Sequence, residues 1–591
     1  MKVRAWNAFF AMVLILAFFV LLYLPLSSPV GVFNTPDENA NYFFAKTFAE
    51  RGELSVIEPL EPLVDNVIHP RGVNVVRGFL VPESFLGLPI FYGGMIRLLA
   101  YTGQCQAGSA ALLTLDCGLP AILAFLNIVA LFCLLKIFKF FFEKTIARLA
   151  LLFVLTNSIF LYWSGRPFMH NILFLDLVVI GWGILLVTVR SKIDTRWDMV
   201  AGLILGAAIA VRPAEIVWVS ISTLAIILMS EFSYASADSP SRKRRILALG
   251  QRCFKAALGG LIILVSLLFF NRELYGNFFG SGYSTTESNI VVAESAVPQL
   301  ARVSLAEQIF LPFGFHPLEA FSRFSKYALG GLWWYTAPML LGAVIVMALW
   351  CVKGAQAAEQ KARRYALTWL MVSMYLIIYY GAFRVEIFAD PRHPLGSSIG
   401  TPYLRYWLPI FVFGAPFAAM FLLFFYRLII SILRRATPYT QVKRFLTAFG
   451  MTVLVVLMTV LSLRAVFWQG TESWLNIKNN LFQFAEIRER AERTTNENTI
   501  FFVPHFADRI YFPKRRVVVD VAGKDTIQIL GALVNKDYPV FWLRGRGEIL
   551  LKETDLKKAG LRLLRRFDVD PKGKIYQVIK GLLPNTISTA R

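Results

Sequence analysis

Two adjacent carboxylates, Asp37 and Glu38, follow Thr35-Pro36 just beyond the first apolar stretch of the chain, Trp6 to Leu24. A carboxylate held at a membrane surface can accept a hydrogen bond from a hydroxyl group and draw off its proton as that oxygen attacks. The same residues also spell a helix start. Thr35 stands three ahead of Glu38 as in a capping box, and Pro36 suits the first helical position. Phe43, Phe44 and Phe48 then give an apolar face that runs out near Gly52. A cap needs one reciprocal acid and this start has two, so Asp37 is the candidate base, while Glu38 serves the cap, the chemistry or both. A weak base suffices where the leaving group is a good one, such as a lipid phosphate.

A departing phosphate needs cationic hydrogen-bond donors. Arg405, at the mouth of a late apolar stretch, and Arg212, in a turn before Pro213, are the candidates. The competing reading of both is a guanidinium snorkelling to the interface, with Glu215 pairing Arg212. Asp176 lies inside an apolar stretch, with Arg166 and His170 near its outer end. Such a group faces a cavity or joins a structural polar pair. Asp390, Arg392 and His393 form a charged cluster ahead of Arg405, or a solvated turn around Pro391 and Pro394. His69 and His316 each stand beside a proline without neighbours at metal-ligand spacing.

The elements that must hold these residues are membrane helices. Hydrophobic residues make up 56% of the 591, with 51 Phe, well above the apolar content of soluble domains. Apolar helix candidates recur throughout, the first of them long enough at 1.5 Å per residue to cross a hydrocarbon core of roughly 30 Å. They cover 6–24, 119–142, 146–163, 170–189, 198–211, 214–230, 256–270, 331–352, 365–383, 403–427 and 445–463, eleven crossings in all. A retained first helix fits 6–24 better than a cleaved signal, since no small-x-small site follows. The net charge of +23 comes from short basic clusters between spans, not from a stripe that would read nucleic acid.

Those clusters orient the chain. Lys2 and Arg4, Lys136 to Arg148, Arg190 to Arg196, Arg242 to Lys255, Lys353 to Arg364 and Arg427 to Arg444 fall on one side when the spans are counted, and that side is cytoplasmic. Counting the apolar run 85–101 as a span would invert every later loop, so it reads as an interfacial or re-entrant helix. The outer side then holds 25–118, 271–330, 384–402 and everything beyond about 465. Cys105 and Cys117 share the first outer loop and suit a disulfide in an oxidising compartment. From 465 onward, short β-rich runs alternate with helical stretches, predicting an extracytoplasmic α/β domain over 465–591 after a transmembrane catalytic domain over 1–464.

Pro36-Asp37-Glu38 after the first span resembles the acidic pair in the first external loop of the GT-C glycosyltransferases, above all protein O-mannosyltransferases and bacterial aminoarabinose transferases. Two further stretches are similar. Gly202-Leu203 through Ala210-Val211-Arg212-Pro213 resembles that family's glycine-rich hairpin, and Tyr403-Leu404-Arg405-Tyr406-Trp407-Leu408-Pro409 resembles its Arg-Tyr-x-Leu-Pro entry to a late span. Asn41 stands where the family often has His. The resemblance implies a helical polytopic GT-C domain that transfers a sugar from a polyprenyl-phosphate carrier to a lipid, glycan or protein acceptor on the outer face of the inner membrane. Asp37 and Glu38 would do the chemistry, Arg405 and Arg212 would bind the donor phosphate, and Asn41, Arg166, His170, Asp176, Asp390 and His393 would line the pocket. The oligosaccharyltransferase branch uses a metal with Asp-x-Asp motifs. Here that spacing occurs at Asp568-Val569-Asp570 in the terminal region, so neither a catalytic metal nor another cofactor is expected. A flippase of lipid-linked saccharides and a non-enzymatic envelope assembly protein are the alternatives. The first would more naturally show repeated halves with broken helices, and the second leaves Asp37 without a task.

Overall fold

The computed structural model describes residues 31–64, 66–102, 119–191, 196–233, 242–282, 310–352, 357–383, 399–436, 440–504, 507–519, 524–544, 553–570 and 573–580. By its contacts the chain divides into two units. Met1–Pro25, Pro120–Leu267 and Ala293–Ile477 form the first; Leu26–Leu119, Leu268–Val292 and Lys478–Arg591 form the second.

The first unit is helical. Among the described residues the chain has six helices long and apolar enough to cross a membrane: Leu123–Phe141, His170–Thr188, Pro213–Glu231, Ile246–Tyr275, Pro317–Ala348 and Leu408–Ser431. Lys144–Leu155 and Ser158–Ser164 make a seventh if taken together, bent by 55°. The bend has a local cause. Asn157 leaves the helix, and its Oδ1 accepts from the backbone N–H groups of Ile159 and Phe160 at 2.9 and 3.0 Å, capping the second segment afresh.

These helices coincide with seven of the eleven stretches read from sequence, and 6–24 lies outside the described residues. The other three fold as helices but fall short of a span. Arg196–Val211 has only 16 residues. Ala357–Gly381 opens with Glu359, Lys361, Arg363 and Arg364, and Thr440–Phe467 is apolar only over Thr452–Phe467. Arg196–Val211 nonetheless lies against the Arg242–Tyr275 helix so closely that a Cβ on Gly202 would meet the Ala256 carbonyl at 2.0 Å. That approach admits only glycine. The same pair of helices is fastened by buried Arg252, whose guanidinium reaches both oxygens of Asp198 at 3.1 Å.

The second unit gathers pieces far apart in sequence. Helix α1 spans Pro36–Arg51, a short helix α2 spans Glu61–Val64, and α3 spans Gly87–Tyr101. Between them, β1 (Val56–Ile57), β2 (Val73–Val76) and β3 (Phe79–Pro82) form an antiparallel sheet in the order β1-β3-β2. With 15 residues, α3 is roughly 22 Å long at 1.5 Å per residue and so too short to span. It packs along α1, where Ala45 and Phe48 lie against Gly93.

Near the C-terminus, β4 (Ile500–Val503), β5 (Arg516–Val519), β6 (Val540–Arg544), β7 (Leu561–Asp570) and β8 (Gly573–Lys580) form one sheet in the order β5-β4-β6-β8-β7. The first three strands are parallel and the rest pair antiparallel. Helices α4 (Asp508–Tyr511) and α5 (Lys524–Asn535) connect the parallel strands. The core under this sheet is shared: Leu60, Val64 and Ile68 from the α2 region pack with Phe502, Val518, Leu530 and Trp542. Glu58 adds an ion pair, accepting from Arg516 Nε at 2.9 Å. The sheet is therefore built together with the segment 58–68.

Candidate active site

In the second unit, α1 begins as its sequence dictates. Thr35 is extended at φ −125° and ψ 154°, its Oγ1 accepts from the Glu38 N–H, and Glu38 Oε2 accepts from the Thr35 N–H at 3.2 Å and from its hydroxyl at 2.9 Å. Both halves of the capping box are present, and Pro36 stands at the first helical position. Glu38 is buried by this arrangement, whereas Asp37, one residue earlier, is half-buried. Asp37 and Asn41 share a face of α1, being four residues apart.

That face meets the turn that leaves β3. Asn41 Oδ1 accepts from the Ser84 hydroxyl at 3.0 Å. Beside Ser84, the Glu83 carboxylate accepts from the Gly72 N–H at 2.8 Å, and the Glu83 N–H donates to the Gly72 carbonyl at 3.0 Å. Gly72 has φ +81°, and a Cβ there would meet Ala40 Cβ at 3.0 Å and the Pro36 carbonyl oxygen at 3.3 Å. The turn thus lies directly on the first turn of α1, for which only glycine is suited. Burial pushes the Glu83 carboxyl up to about 7, the Gly72 N–H and Arg71 oppose the rise, and the nearby charge of Asp37 adds to it. The Gly72 turn therefore brings the Glu83 carboxyl to the start of α1, where it feels the charge of Asp37.

Sequence reasoning passed over Glu83. The signal was there, since it is an acid shortly before an apolar helix, as Asp37 is an acid in the first turn of α1. Glu61, also passed over, is buried and pushed up to about 8 by desolvation and by the neighbouring Glu58. It stands in α2 beside Leu60, which enters the shared core.

In the first unit the two predicted phosphate ligands come together on one ring. Arg405, half-buried, lies over the Tyr406 ring at 4.8 Å and donates to the Tyr406 hydroxyl at 2.9 Å. Arg212 lies over the same ring at 5.2 Å. The two differ in their surroundings. Arg212 is buried, pairs with Glu215 at 2.8 Å and donates to the Tyr380 hydroxyl at 3.0 Å. Glu215 in turn accepts from Tyr380 at 2.6 Å and from the Trp218 indole. The salt bridge weighed from the sequence is what occupies Arg212.

Three of the remaining predicted pocket residues, Arg166, His170 and Asp176, lie on one stretch around the start of the His170–Ser191 helix. Arg166 is buried against Trp163, 5.1 Å from its ring, and donates to the Tyr162 hydroxyl at 3.2 Å. His170 starts the His170–Ser191 helix, half-buried, two residues after buried Phe168; next to it, Asn171 donates to the Arg405 carbonyl at 2.9 Å. Asp176 is buried one and a half turns further along. Asp390, Arg392, His393, Cys105 and Cys117 lie outside the described residues. Among the described residues no group of three or more His, Cys, Asp or Glu side chains is placed to hold a metal ion.

No protein-family model and no curated protein matches the sequence. Solved structures do. ArnT from Cupriavidus metallidurans, bound to undecaprenyl phosphate, matches over 97% of this chain and 98% of its own, with 12% identity and a TM-score of 0.51. This chain has the ArnT fold. ArnT is an aminoarabinose transferase with the GT-C architecture, so the resemblance read from Pro36-Asp37-Glu38 and the two arginine motifs is borne out as a likeness of fold. The apo form of ArnT matches over 98% of this chain at 11% identity and a TM-score of 0.49. An Archaeoglobus fulgidus oligosaccharyltransferase, tethered to an acceptor peptide, matches over 90% of this chain and 69% of its own at 11% identity and a TM-score of 0.43.

Proposed function

We propose that the chain is a membrane glycosyltransferase that moves a sugar from a polyprenyl-phosphate donor to an acceptor hydroxyl on the outer face of the inner membrane. The observation that carries the reading is the Asp37–Glu83 carboxyl pair, set at a capped helix start in a chain with the ArnT fold. ArnT's own structure holds undecaprenyl phosphate, the kind of carrier this reading requires.

In the proposed reaction the acceptor oxygen attacks the anomeric carbon and the bond from that carbon to the phosphate oxygen breaks. The hydroxyl proton passes to Asp37, and the lipid phosphate leaves with its bonding electrons. Positioned base catalysis of this kind is typically worth ~10²- to 10⁴-fold. Glu83 is placed to take up or return that proton, and Glu38 serves the helix cap. Arg405 remains the donor-phosphate candidate that the sequence resemblance implies, and Arg212 is committed to Glu215. Trp182, Trp218, Ile226, Trp369 and Phe413 line a small apolar cavity of about 50 Å³ among the helices of the first unit.

The test is transfer by purified full-length protein in lipid nanodiscs, supplied with a panel of polyprenyl-phosphate sugars and with envelope lipid and glycan acceptors. Mass spectrometry follows the free polyprenyl phosphate and the glycosylated product. Acceptor-dependent release from at least one donor supports the reading. Movement of intact donor across proteoliposomes without release would replace it with a flippase.

A further inference from the structure

Asp508 has no part in the chemistry above, yet it is wholly buried at the start of α4 and spends both carboxylate oxygens on one residue. Oδ2 accepts from the Arg71 backbone N–H at 3.0 Å and from its Nε at 3.2 Å, while Oδ1 accepts from its Nη2 at 2.9 Å. A forked guanidinium bond combined with a backbone bond fixes a residue in place and direction, not merely in charge. The residue so fixed is the one before Gly72. Gly72 holds the Glu83 carboxylate by its N–H and rests on Pro36 and Ala40 of α1.

The segment that carries Asp508 is tied on either side of Asp37 as well. Buried Arg488 donates to the carbonyls of Arg509, Ile510 and Phe512, and to that of Gly31 ahead of α1. Arg509 donates to the Asn34 carbonyl, and Asn39 of α1 donates to the Phe512 carbonyl at 3.2 Å. Residues 508–512 therefore contact the chain before Asp37, after it, and across the turn that bears Glu83.

We infer that Asp508 is a positioning residue for the Asp37–Glu83 pair, so that the C-terminal segment completes the active site in the first outer loop. The inference rests on the proposed transferase reading. Asp508 touches no substrate. It sets where Arg71 and Gly72 lie, hence where the Glu83 carboxylate lies relative to Asp37. Misplacement of a reacting group by about 1 Å can cost on the order of 10²-fold in rate.

The experiment is a kinetic comparison of Asp508→Ala and Asp508→Asn, each alone and combined with Glu83→Gln, in full-length protein that elutes as the wild type does. Asp508→Asn retains an oxygen for the Arg71 N–H and tests the reading even if Asp508→Ala is recovered poorly. The expected result is a fall in kcat of roughly 10-fold or more for Asp508→Ala, a smaller fall for Asp508→Asn, and a donor KM within about 2-fold of wild type. In the Glu83→Gln background the same changes should cost no more than about 2-fold further, because residues that act as a unit do not lose activity multiplicatively. Normal kcat in both single variants, a loss confined to KM, or a full multiplicative loss in the Glu83→Gln background would each overturn the positioning role. Absence of transfer by the wild-type protein with every donor would instead sink the transferase reading itself.

Discussion

Replacing Asp37 by Asn separates chemistry from folding, because the helix start does not depend on Asp37. The cap is made by Thr35 Oγ1 and Glu38 Oε2, and Asn leaves both in place. What the fold loses is one negative charge in the first helical turn, worth ~0.3–1 kcal/mol. What it gains is relief of the like charge beside Glu83, whose carboxyl Asp37 helps to raise. The two effects oppose, so thermal stability should change little. Turnover has no such offset. Losing a positioned base removes ~10²- to 10⁴-fold, or about 3–5 kcal/mol of barrier lowering. The assay is single-turnover transfer in nanodiscs, with donor binding measured in parallel on the same preparation. Donor affinity should stay close to wild type while the rate collapses, since the lost interaction forms only as the acceptor proton moves. A well-folded Asp37→Asn protein that transfers sugar at the wild-type rate would refute the assignment. Glu38→Gln is the matched control, because glutamine can still complete the capping box.

Glu83 should set a pH dependence. Its carboxyl is raised from the ordinary glutamate range to about 7, so its stabilising contribution is full below the unfolded value near 4.5 and is lost as pH rises through about 7. Melting of the Glu83→Gln protein should therefore flatten between those limits and exceed wild type above pH 7; identical pH–melting curves would remove the shift. The arginines should part company. Arg212→Ala strands Glu215 in the interior and should destabilise by about 3–5 kcal/mol. Arg405→Ala should keep the fold and weaken both donor binding and turnover, and equal stability losses in the two variants would contradict that division. For Cys105 and Cys117, peptide mass spectrometry without reductant should find one linked pair, and two free thiols would discard the bridge.

What was legible in the sequence is what local chemistry determines. Thr35-Pro36-Asp37-Glu38 names its own cap, so α1 could be placed to the residue at its start and its end set near Gly52. Asn157, by contrast, stands in a Thr156-Asn157-Ser158 triplet within an otherwise apolar run, and the bend it makes is visible only once its side chain is seen turned to the next segment's N–H groups. The charge pattern identified Arg212 and Arg405 together. Glu215 already set Arg212 behind Arg405, but Tyr380 and Trp218 closing over Glu215 to complete the buried pair left no trace in the sequence.

The same limit explains why the reach of the C-terminal region could not be read. Its strands alternate with helices as a free-standing domain's would, so a boundary near 465 is the natural expectation. The contacts that tie it to the segment before α3 are Leu60 and Val64 entering its core, Glu58 meeting Arg516, and Arg71 meeting Asp508. Each joins residues more than 400 positions apart, where neither periodicity nor motif spacing carries information. An isolated pair of this kind is a poor guide to stability, since a buried ion pair roughly cancels its own desolvation. Its value lies in direction: Asp508 contributes a bond to the Arg71 backbone as well as its guanidinium, and a backbone bond is what fixes the next residue, Gly72, under Glu83.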